Sequence, residues 1–196
     1  MLLKSSLIRG LKHSCLLRFA STSSREFPAF PIAAVAVAVV SRPTLSGPPQ
    51  FLLVKRGKEP GKGLWSSPGG GINVGESTLA AAARELAEET GLTEKHVKFH
   101  PHPFTSTDAI YSAGDERGTQ FHYVISQFVA FTTPTGLQEA AAADDAEELG
   151  WFSTQEMALV DPPVVPSMLA VAALAENLIE KGAISQSDAV FVSSGT

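Results

Sequence analysis

Cysteine is almost missing from this chain, because Cys15 is the only one among its 196 residues. A single cysteine cannot form an intrachain disulfide, and it excludes a metal site built from cysteines. Long hydrophobic runs are missing as well. The apolar run Ile32–Val40 falls far short of the roughly 20 residues that a membrane-spanning helix needs. We therefore expect neither a disulfide scaffold nor a membrane partner.

Basic residues are scarce relative to acidic ones, with 15 Lys and Arg against 20 Asp and Glu and a net charge of −5. Four of the basic residues lie within the first 20 positions, where there is no acid: Lys4, Arg9, Lys12 and Arg18. The rest of the chain is therefore more acidic than the whole. Because phosphate backbones attract Lys and Arg, this charge argues against a nucleic acid partner. Phosphates could still bind through a metal ion.

Residues 1–26 have the composition of an organellar presequence. They are basic, rich in serine and free of acid until Glu26, which is typical of a transit peptide. The run RFAS at residues 18–21 resembles a mitochondrial processing site, so we expect a mitochondrial protein. A disordered basic tail on a cytoplasmic protein and a plastid address remain the alternatives.

The remainder predicts one α+β domain over residues 27–182, without an internal repeat. Five segments have the apolar content or the alternation that predicts strands: Ile32–Val40, Phe51–Val54, Val97–Phe104, Gln120–Phe131 and Leu149–Phe152. The first two are expected to be neighbours joined by a long turn. Between the third and fourth strands, Thr105–Thr119 is predicted to be a polar loop long enough to be functional.

Two helices are expected. The first runs from about Ser77 to Thr90 and ends at Gly91, the usual place for a glycine cap. The second starts at residue 166 or 167, is rich in alanine and leucine, and ends at residues 181–182, Lys-Gly. Residues 183–196 are predicted to be a weakly structured C-terminal tail.

The most informative stretch is residues 70–92, in which a glycine loop leads into the first helix. Its fixed positions are Gly70, Glu76, Arg84-Glu85-Leu86, Glu88-Glu89 and Gly91-Leu92. At 100° per residue, Glu85, Glu88 and Glu89 fall on one helix face, at the edge of the apolar face. They can therefore border a cleft. A solvated acidic helix would carry the same glutamates at little cost, so the cluster alone does not define a site.

The complete spacing resembles the Nudix box, and the chain resembles a Nudix hydrolase over about residues 30–182. The resemblance implies an α/β/α sandwich around a mixed β-sheet. It also implies a pyrophosphohydrolase that cleaves a nucleoside diphosphate linked to another moiety, with Mg²⁺ or Mn²⁺ as the cofactor. Such a cation would bring an anionic substrate and anionic glutamates together. Because members of this family often dimerise, the resemblance also leads us to expect a homodimer.

The resemblance also implies roles for individual residues. Glu85, Glu88 and Glu89 would be the metal ligands and the source of a catalytic base, and Gly70 would offer its backbone carbonyl to the metal. Which glutamate removes the proton of the attacking water stays open. Arg84 would orient the glutamates through charge-assisted hydrogen bonds. The alternative for Arg84 is an ordinary surface pair with Glu88, four residues on.

Substrate choice rests on a weaker resemblance, to ADP-ribose pyrophosphatases, carried by residues 61–70, 122–125 and 144–152. We therefore expect ADP-ribose or a related compound as the substrate. Aromatic and acidic residues outside the box are the candidate substrate contacts: Trp65 and Tyr111 for stacking on a base, and Asp145 and Glu148 as further acids. A solvated acidic loop is an equal alternative for the last two. Two other functions remain open, a sanitising hydrolase of oxidised or non-standard nucleoside triphosphates and a non-catalytic ligand-sensing module.

The presequence hypothesis makes a direct prediction about the mature protein. If residues 1–26 are a presequence, the protein isolated from cells should begin beyond Arg18, because processing would remove the basic segment. N-terminal sequencing or mass spectrometry of the native protein measures this. An intact Met1 would refute processing.

Overall fold

The computed structural model describes residues 25–41 and 47–193, so most of the predicted presequence lies outside the described residues. The elements follow in this order: β1 Ile32–Ser41, β2 Gln50–Arg56, β3 Trp65–Ser66, β4 Gly69–Gly71, α1 Thr78–Thr90, β5 Val97–Phe99, β6 Thr105–Ser112, β7 Thr119–Thr132, α2 Pro134–Glu139, β8 Ala146–Phe152, α3 Thr154–Met157 and α4 Met168–Glu180. No helix in the described part of the chain is long and apolar enough to cross a membrane.

A mixed β-sheet forms the centre of the domain. Its main order is β3-β2-β1-β7-β5, with β4 paired to β1, β6 to β7 and β8 to β2. β1 runs parallel to β7 from Ile32 to Val40, and the other pairs are antiparallel. β1 is apolar on both of its faces, as expected for a strand covered on two sides. The predicted mixed sheet is confirmed.

Helices cover both faces of this sheet. α1 packs with Val35, Val37 and Val39 of β1 in one buried cluster. α4 packs with Ala38 and Val40, which point to the opposite face, in a second buried cluster. The alternation of one strand therefore divides the core into two layers. This is the α/β/α sandwich that the sequence predicted.

Helix α1 is fixed at both ends by residues that the sequence identified. The hydroxyl of Ser77 accepts a hydrogen bond from the backbone N–H of Ala80 at 3.1 Å, which satisfies one of the free donors of the first turn. Gly91 ends the helix with a φ of 71°, a left-handed conformation that favours glycine. The helix therefore enters and leaves at defined points, which fixes the direction of its acidic face.

The central sheet opens between β1 and β2. Among the described residues, which exclude 42–46, the two strands pair at Val40 with Phe51 and at Ser41 with Gln50. Further along, β1 pairs instead with β4, from Ala34 to Ala36, while β2 pairs with β3 and β8. The two strands therefore diverge, and a cleft opens between them.

The predicted loop and the predicted strand before it have the wrong boundaries. The segment Thr105–Thr119 is not a loop, because its first part is strand β6, paired along β7. The exposure of β6 alternates residue by residue, but with few apolar side chains the alternation gives no hydrophobic signal. The strand predicted at Val97–Phe104 is accordingly shorter, as β5.

The C-terminal segment was predicted to be weakly structured, but its described part, residues 183–193, packs against the domain. Ile184 and Ala189 are buried in the α4 layer. Val190 and Phe99 exchange two backbone hydrogen bonds, both 2.8 Å long. This segment lies against the end of β5 and belongs to the domain.

Leu86 tests the packing of α1 on the sheet, because its side chain is 0% exposed. Replacing it with alanine should lower the free energy of unfolding by about 2–5 kcal/mol, from lost burial and the cavity left behind. Leu159→Ala is the matched control, since Leu159 is 86% exposed and a surface truncation changes stability by about 0.5 kcal/mol or less. Urea unfolding measures both. Equal effects would contradict the packing described.

Candidate active site

A cavity of about 690 Å³ occupies the cleft where β1 and β2 diverge. Its lining combines the glycine strand β4, the acidic face of α1, the start of α4 and the alternate residues of β7. Volumes of this size are typical of small-molecule sites. The acidic helix face that the sequence singled out therefore borders a real cavity rather than open solvent.

Arg84 is the centre of a dense hydrogen-bond network beside this cavity. Its Nε and Nη2 donate to the two carboxylate oxygens of Glu76 at 2.8 and 3.0 Å. Its Nη1 donates to Glu85 at 2.9 Å and to Glu88 at 3.0 Å. Nη2 also donates to the backbone carbonyl of Gly71 at 2.9 Å. These contacts go far beyond a surface pair with Glu88, and they join the helix to the glycine strand.

The network shifts the ionisation of its members in the expected directions. The hydrogen bond from Arg84 lowers the pKa of Glu76, and the hydrogen bond to Glu76 raises the pKa of Arg84. Both groups are therefore held in their charged forms. Glu76 has a structural role, because it also accepts the backbone N–H of Asn73 at 3.0 Å and so closes the loop before α1.

Glu85 and Glu89 are in a different situation. Burial raises the pKa of Glu89 to about 7, against a hydrogen bond from the Gly69 N–H, and the charge of Glu85 raises it further. Burial also raises the pKa of Glu85, although Arg84 opposes this, and the charge of Glu88 adds to the rise. The two carboxylates are thus poorly solvated and repel one another. A bound cation would relieve both costs.

The glycines of β4 let this acidic group approach the sheet. A Cβ on Gly69 would collide with the carbonyl oxygen of Val35 in β1, and a Cβ on Gly70 would collide with the carboxylate of Glu85. The N–H of Gly69 donates to Glu89 at 2.9 Å. Gly69 is therefore required by its close approach to the backbone of β1, whereas a side chain at Gly70 would displace the carboxylate of Glu85.

The predicted metal ligands fit a divalent cation in part. Their donor atoms are oxygens, which Mg²⁺ and Mn²⁺ prefer, and the Gly70 backbone lies against Glu85. Within residues 25–41 and 47–193, however, no three acidic or histidine side chains converge on one metal-binding point. The reason is visible at Glu88, which is 48% exposed and bonded to Arg84. Beside the glycine strand, Glu89 is buried and Glu85 is partly buried.

The candidate substrate residues divide into two groups. Tyr111 and Asp145 line the cavity, and Asp145 also forms an ion pair with Lys58. Glu148 does not line it and pairs with Lys55 at 3.0 Å. Trp65 is only 6% exposed and packs edge-on against Phe152, with ring centroids 5.0 Å apart. Trp65 is therefore a core residue, and its position does not support the predicted stacking on a base.

Several cavity residues were missed by the sequence analysis. Three of them are cations, Arg25, Arg56 and Lys58, and Arg25 falls inside the segment interpreted as a presequence. Others are alternate residues of β7, among them Ile125 and Gln127. Their spacing of two along a predicted strand would have placed them on one face, but the sequence did not show that this face borders a cavity.

The fold, the glycine strand and the arginine-held glutamates together define a Nudix domain. The sequence model of the NUDIX domain matches residues 31–173, and the chain therefore belongs to the Nudix hydrolase family. The family and the class of enzyme that the box predicted, a hydrolase, are confirmed.

The individual relatives match this chain over only part of its length or at low sequence identity. Over 108 residues the chain is 36% identical to the ADP-ribose pyrophosphatase of Methanocaldococcus jannaschii, a match covering 55% of this chain and 57% of that protein. The chain thus spans little more than half of that relative. The NUDIX domain of Shewanella oneidensis NrtR, solved with ADP ribose, superposes with a TM-score of 0.55 at 20% identity, covering 76% of this chain and 88% of that one.

A similar likeness holds for an Ap4A hydrolase of C. elegans, solved as a binary complex. Its TM-score is 0.56 at 18% identity, with 78% of this chain and 99% of that one covered. At this level of identity, both solved structures show the shared fold and nothing about the substrate of this chain.

The raised pKa of Glu89 predicts an unusual pH dependence of stability in the metal-free protein. Because the pKa rises from 4.5 to about 7 on folding, the folded state holds this proton more tightly than the unfolded state. The stabilisation is complete below pH 4.5 and is lost as the pH rises through 7. In Glu89→Gln this contribution is absent, so the variant should gain stability relative to wild type by a few kcal/mol across that window.

Urea unfolding in EDTA at pH 5, 6, 7 and 8 measures the difference between the two proteins. Titrating groups that do not interact with Glu89 are present in both proteins and cancel in the comparison, while the coupling of Glu85 to Glu89 is part of the measured difference. A difference that stays constant with pH, or that shrinks as the pH rises, would contradict the assignment.

Proposed function

We propose that this chain is a Mg²⁺- or Mn²⁺-dependent pyrophosphohydrolase that cleaves ADP-ribose or a related nucleoside diphosphate derivative into two phosphorylated products. The observation that carries the proposal is a pair of mutually repelling carboxylates, the buried Glu89 and the partly buried Glu85. They lie beside a glycine strand at the wall of a nucleotide-sized cavity. An acidic patch of this kind attracts a divalent cation, and the cation then attracts a diphosphate.

We assign each residue of the acidic group a separate role in this reaction. Glu85 and Glu89 would hold the cation together with the Gly70 carbonyl, and Glu88 would join them by leaving Arg84. A bound Mg²⁺ supplies charge neutralisation, polarisation of the phosphoryl group and an oriented water. Arg84 keeps the carboxylates aligned, since its fork of N–H donors fixes their direction.

The rest of the cavity suits a nucleoside diphosphate. Arg25, Arg56 and Lys58 line it and offer positive charge to the phosphates. Tyr111 and Tyr123 lie along the same cavity and offer aromatic faces to a base. The relative with ADP-ribose pyrophosphatase activity favours ADP-ribose within this class of substrates.

Two features of the whole protein are also proposals. We propose a mitochondrial address for the basic segment 1–26, and a homodimer for the folded domain. Imaging of the full chain carrying a C-terminal tag tests the first. Sedimentation of the purified chain tests the second, with a single monomeric species as the contradicting result.

Hydrolysis by the full chain should depend on each glutamate and on a divalent cation. Glu85→Gln, Glu88→Gln and Glu89→Gln should each lower kcat on ADP-ribose by about 10²–10⁴-fold, because each removes a charged group at the reacting centre. Glu180→Gln, at the exposed end of α4, is the control and should leave kcat unchanged. EDTA should abolish the activity, and Mg²⁺ should restore it.

The assay should compare ADP-ribose, NADH, sugar nucleotides and oxidised dNTPs, with product analysis. A preference for an oxidised triphosphate, with release of pyrophosphate, would replace the leading proposal by the sanitising hydrolase. Binding of nucleotide with no hydrolysis of any substrate would instead indicate the ligand-sensing module. Full activity in Glu89→Gln, or with all metal chelated, would refute the catalytic assignment.

A further inference from the structure

Residues 25–27, which we call the N-terminal strap, lie against the start of β7. The backbone N–H of Phe27 donates to the carbonyl of Gln120 at 2.7 Å, and the side-chain amide of Gln120 donates to Glu26 at 3.2 Å. The guanidinium of Arg117 lies 4.8 Å from the centre of the Phe27 ring, a distance at which a cation and an aromatic ring attract one another. Backbone and side-chain contacts therefore hold the strap on β7.

The first residue of the strap, Arg25, lines the cavity. Its Nη2 lies 2.9 Å from the position that a Cβ on Gly71 would occupy, so the glycine at the end of β4 leaves room for the guanidinium. Burial raises the pKa values of Tyr123 and Glu85, and the charge of Arg25 opposes both rises. The guanidinium is therefore within electrostatic reach of both the aromatic wall and the acidic group.

The positive charge of Arg25 is not used in an ion pair within the described part of the chain. By contrast, Arg84 is bonded to three glutamates, and Lys58 is paired with Asp145. A guanidinium presents its N–H donors in a planar fork that matches the oxygens of a phosphate. The ligand that this charge favours is therefore an anion of that kind.

Arg56 supplies a second guanidinium near the acidic group, and it lines the same cavity. Burial raises the pKa of Glu89, and the charge of Arg56 opposes this rise, as that of Arg25 does at Glu85. Both arginines also oppose the rise that burial causes in the pKa of Tyr123. Two guanidinium groups and two carboxylates therefore share one region of the cavity, which suits a diphosphate bridged by a cation.

We propose that the N-terminal strap completes the substrate site, with the guanidinium of Arg25 binding a phosphate of the substrate. The inference rests on the proposed function for the substrate class. It adds a binding residue from outside the segment that matches the NUDIX domain, which begins at residue 31.

The proposal limits where the basic N-terminal segment can be removed. A cut at the end of residues 1–26 would take Arg25 away with the segment, so a processed and active protein should begin between residues 19 and 25. N-terminal sequencing of the native protein, together with its KM for ADP-ribose, measures this. A mature protein that begins beyond Arg25 and has the KM of the full chain would overturn the inference.

The main test uses the full chain with Arg25→Ala and Arg25→Lys, assayed with Mg²⁺ on ADP-ribose. Alanine removes the guanidinium, and lysine restores the charge without the planar fork of donors. Lys181→Ala is the matched control, because it also removes one positive charge, but from the exposed end of α4 and outside the cavity. Thermal unfolding checks that every variant is folded.

Arg25→Ala should raise KM by about 10–100-fold, the loss expected for a charge-assisted hydrogen bond, with kcat changed by less than about threefold. Arg25→Lys should recover part of this loss, and Lys181→Ala should behave as wild type. An unchanged KM in folded Arg25→Ala would overturn the inference. So would a loss confined to kcat, or a lysine variant no better than the alanine variant.

Phe27→Ala tests the strap itself, because the Phe27 ring packs under Arg117. It should raise KM by about two- to fivefold in the wild-type background, the range for one cation–π contact. In Arg25→Ala it should have no further effect, because the strap then carries nothing to position. Additive effects of the two changes would overturn the positioning role of the strap.

Binding separates this inference from the proposed function. Calorimetry with ADP and Mg²⁺ measures phosphate binding without turnover of ADP-ribose, and adenosine is the phosphate-free ligand. If no substrate is hydrolysed but Arg25→Ala weakens the binding of ADP alone by about tenfold or more, the proposed function fails and the role of Arg25 holds. If ADP-ribose is hydrolysed and Arg25→Ala binds ADP as wild type does, the proposed function stands and the role of Arg25 is refuted. An equal loss of affinity for ADP and adenosine would also refute it.

Discussion

The guanidinium of Arg84 holds the acidic face of α1 against the loop and the glycine strand beside it. It donates to Glu76, Glu85 and Glu88 and to the carbonyl of Gly71, so one cation serves three carboxylates from two parts of the chain. A buried carboxylate without a partner would be strongly destabilising. A lysine could not replace these contacts, because a single ammonium group lacks the planar fork of donors. The glycine strand, the loop before α1 and the acidic helix face are therefore one unit.

This arrangement depends on the divergence of β1 and β2, which makes room for β4 beside β1. Within the described residues, β1 pairs with β2 at Val40 and Ser41 and with β4 at Ala34–Ala36. The glycines of β4 leave room for the backbone of β1 and for the carboxylate of Glu85. The N–H of Gly69 donates a hydrogen bond to Glu89. This bond holds α1 against β4 at the wall of the cavity. The opening of the sheet thus creates the cavity and places the acidic group against it.

The sequence predicted the features that depend on local spacing. Helix α1, its caps and the pairing of Arg84 with its own helix are set by residues a few positions apart, and the periodicity of β1 gave the two-layer core. Features that depend on distant strands were not predicted. Strand β6 is polar and is stabilised by β7, so it lacked an apolar signal. The indole of Trp65 lies in the core because Phe152, far away in sequence, packs against it.

The proposed site also combines a part set by local sequence spacing with a part set by distant strands. The acidic end of the cavity is built within one helix and its preceding loop, so a short sequence pattern describes it. The aromatic side chains proposed to face a base, Tyr111 and Tyr123, lie on β6 and β7, and no short sequence pattern describes them. The acidic end also carries an electrostatic cost, since burial and mutual repulsion raise the pKa values of Glu85 and Glu89. A ligand that removes such a cost stabilises the folded state by its own binding free energy. Burial and repulsion of the glutamates therefore weaken the metal-free protein, and for the same reason they would favour the binding of a cation.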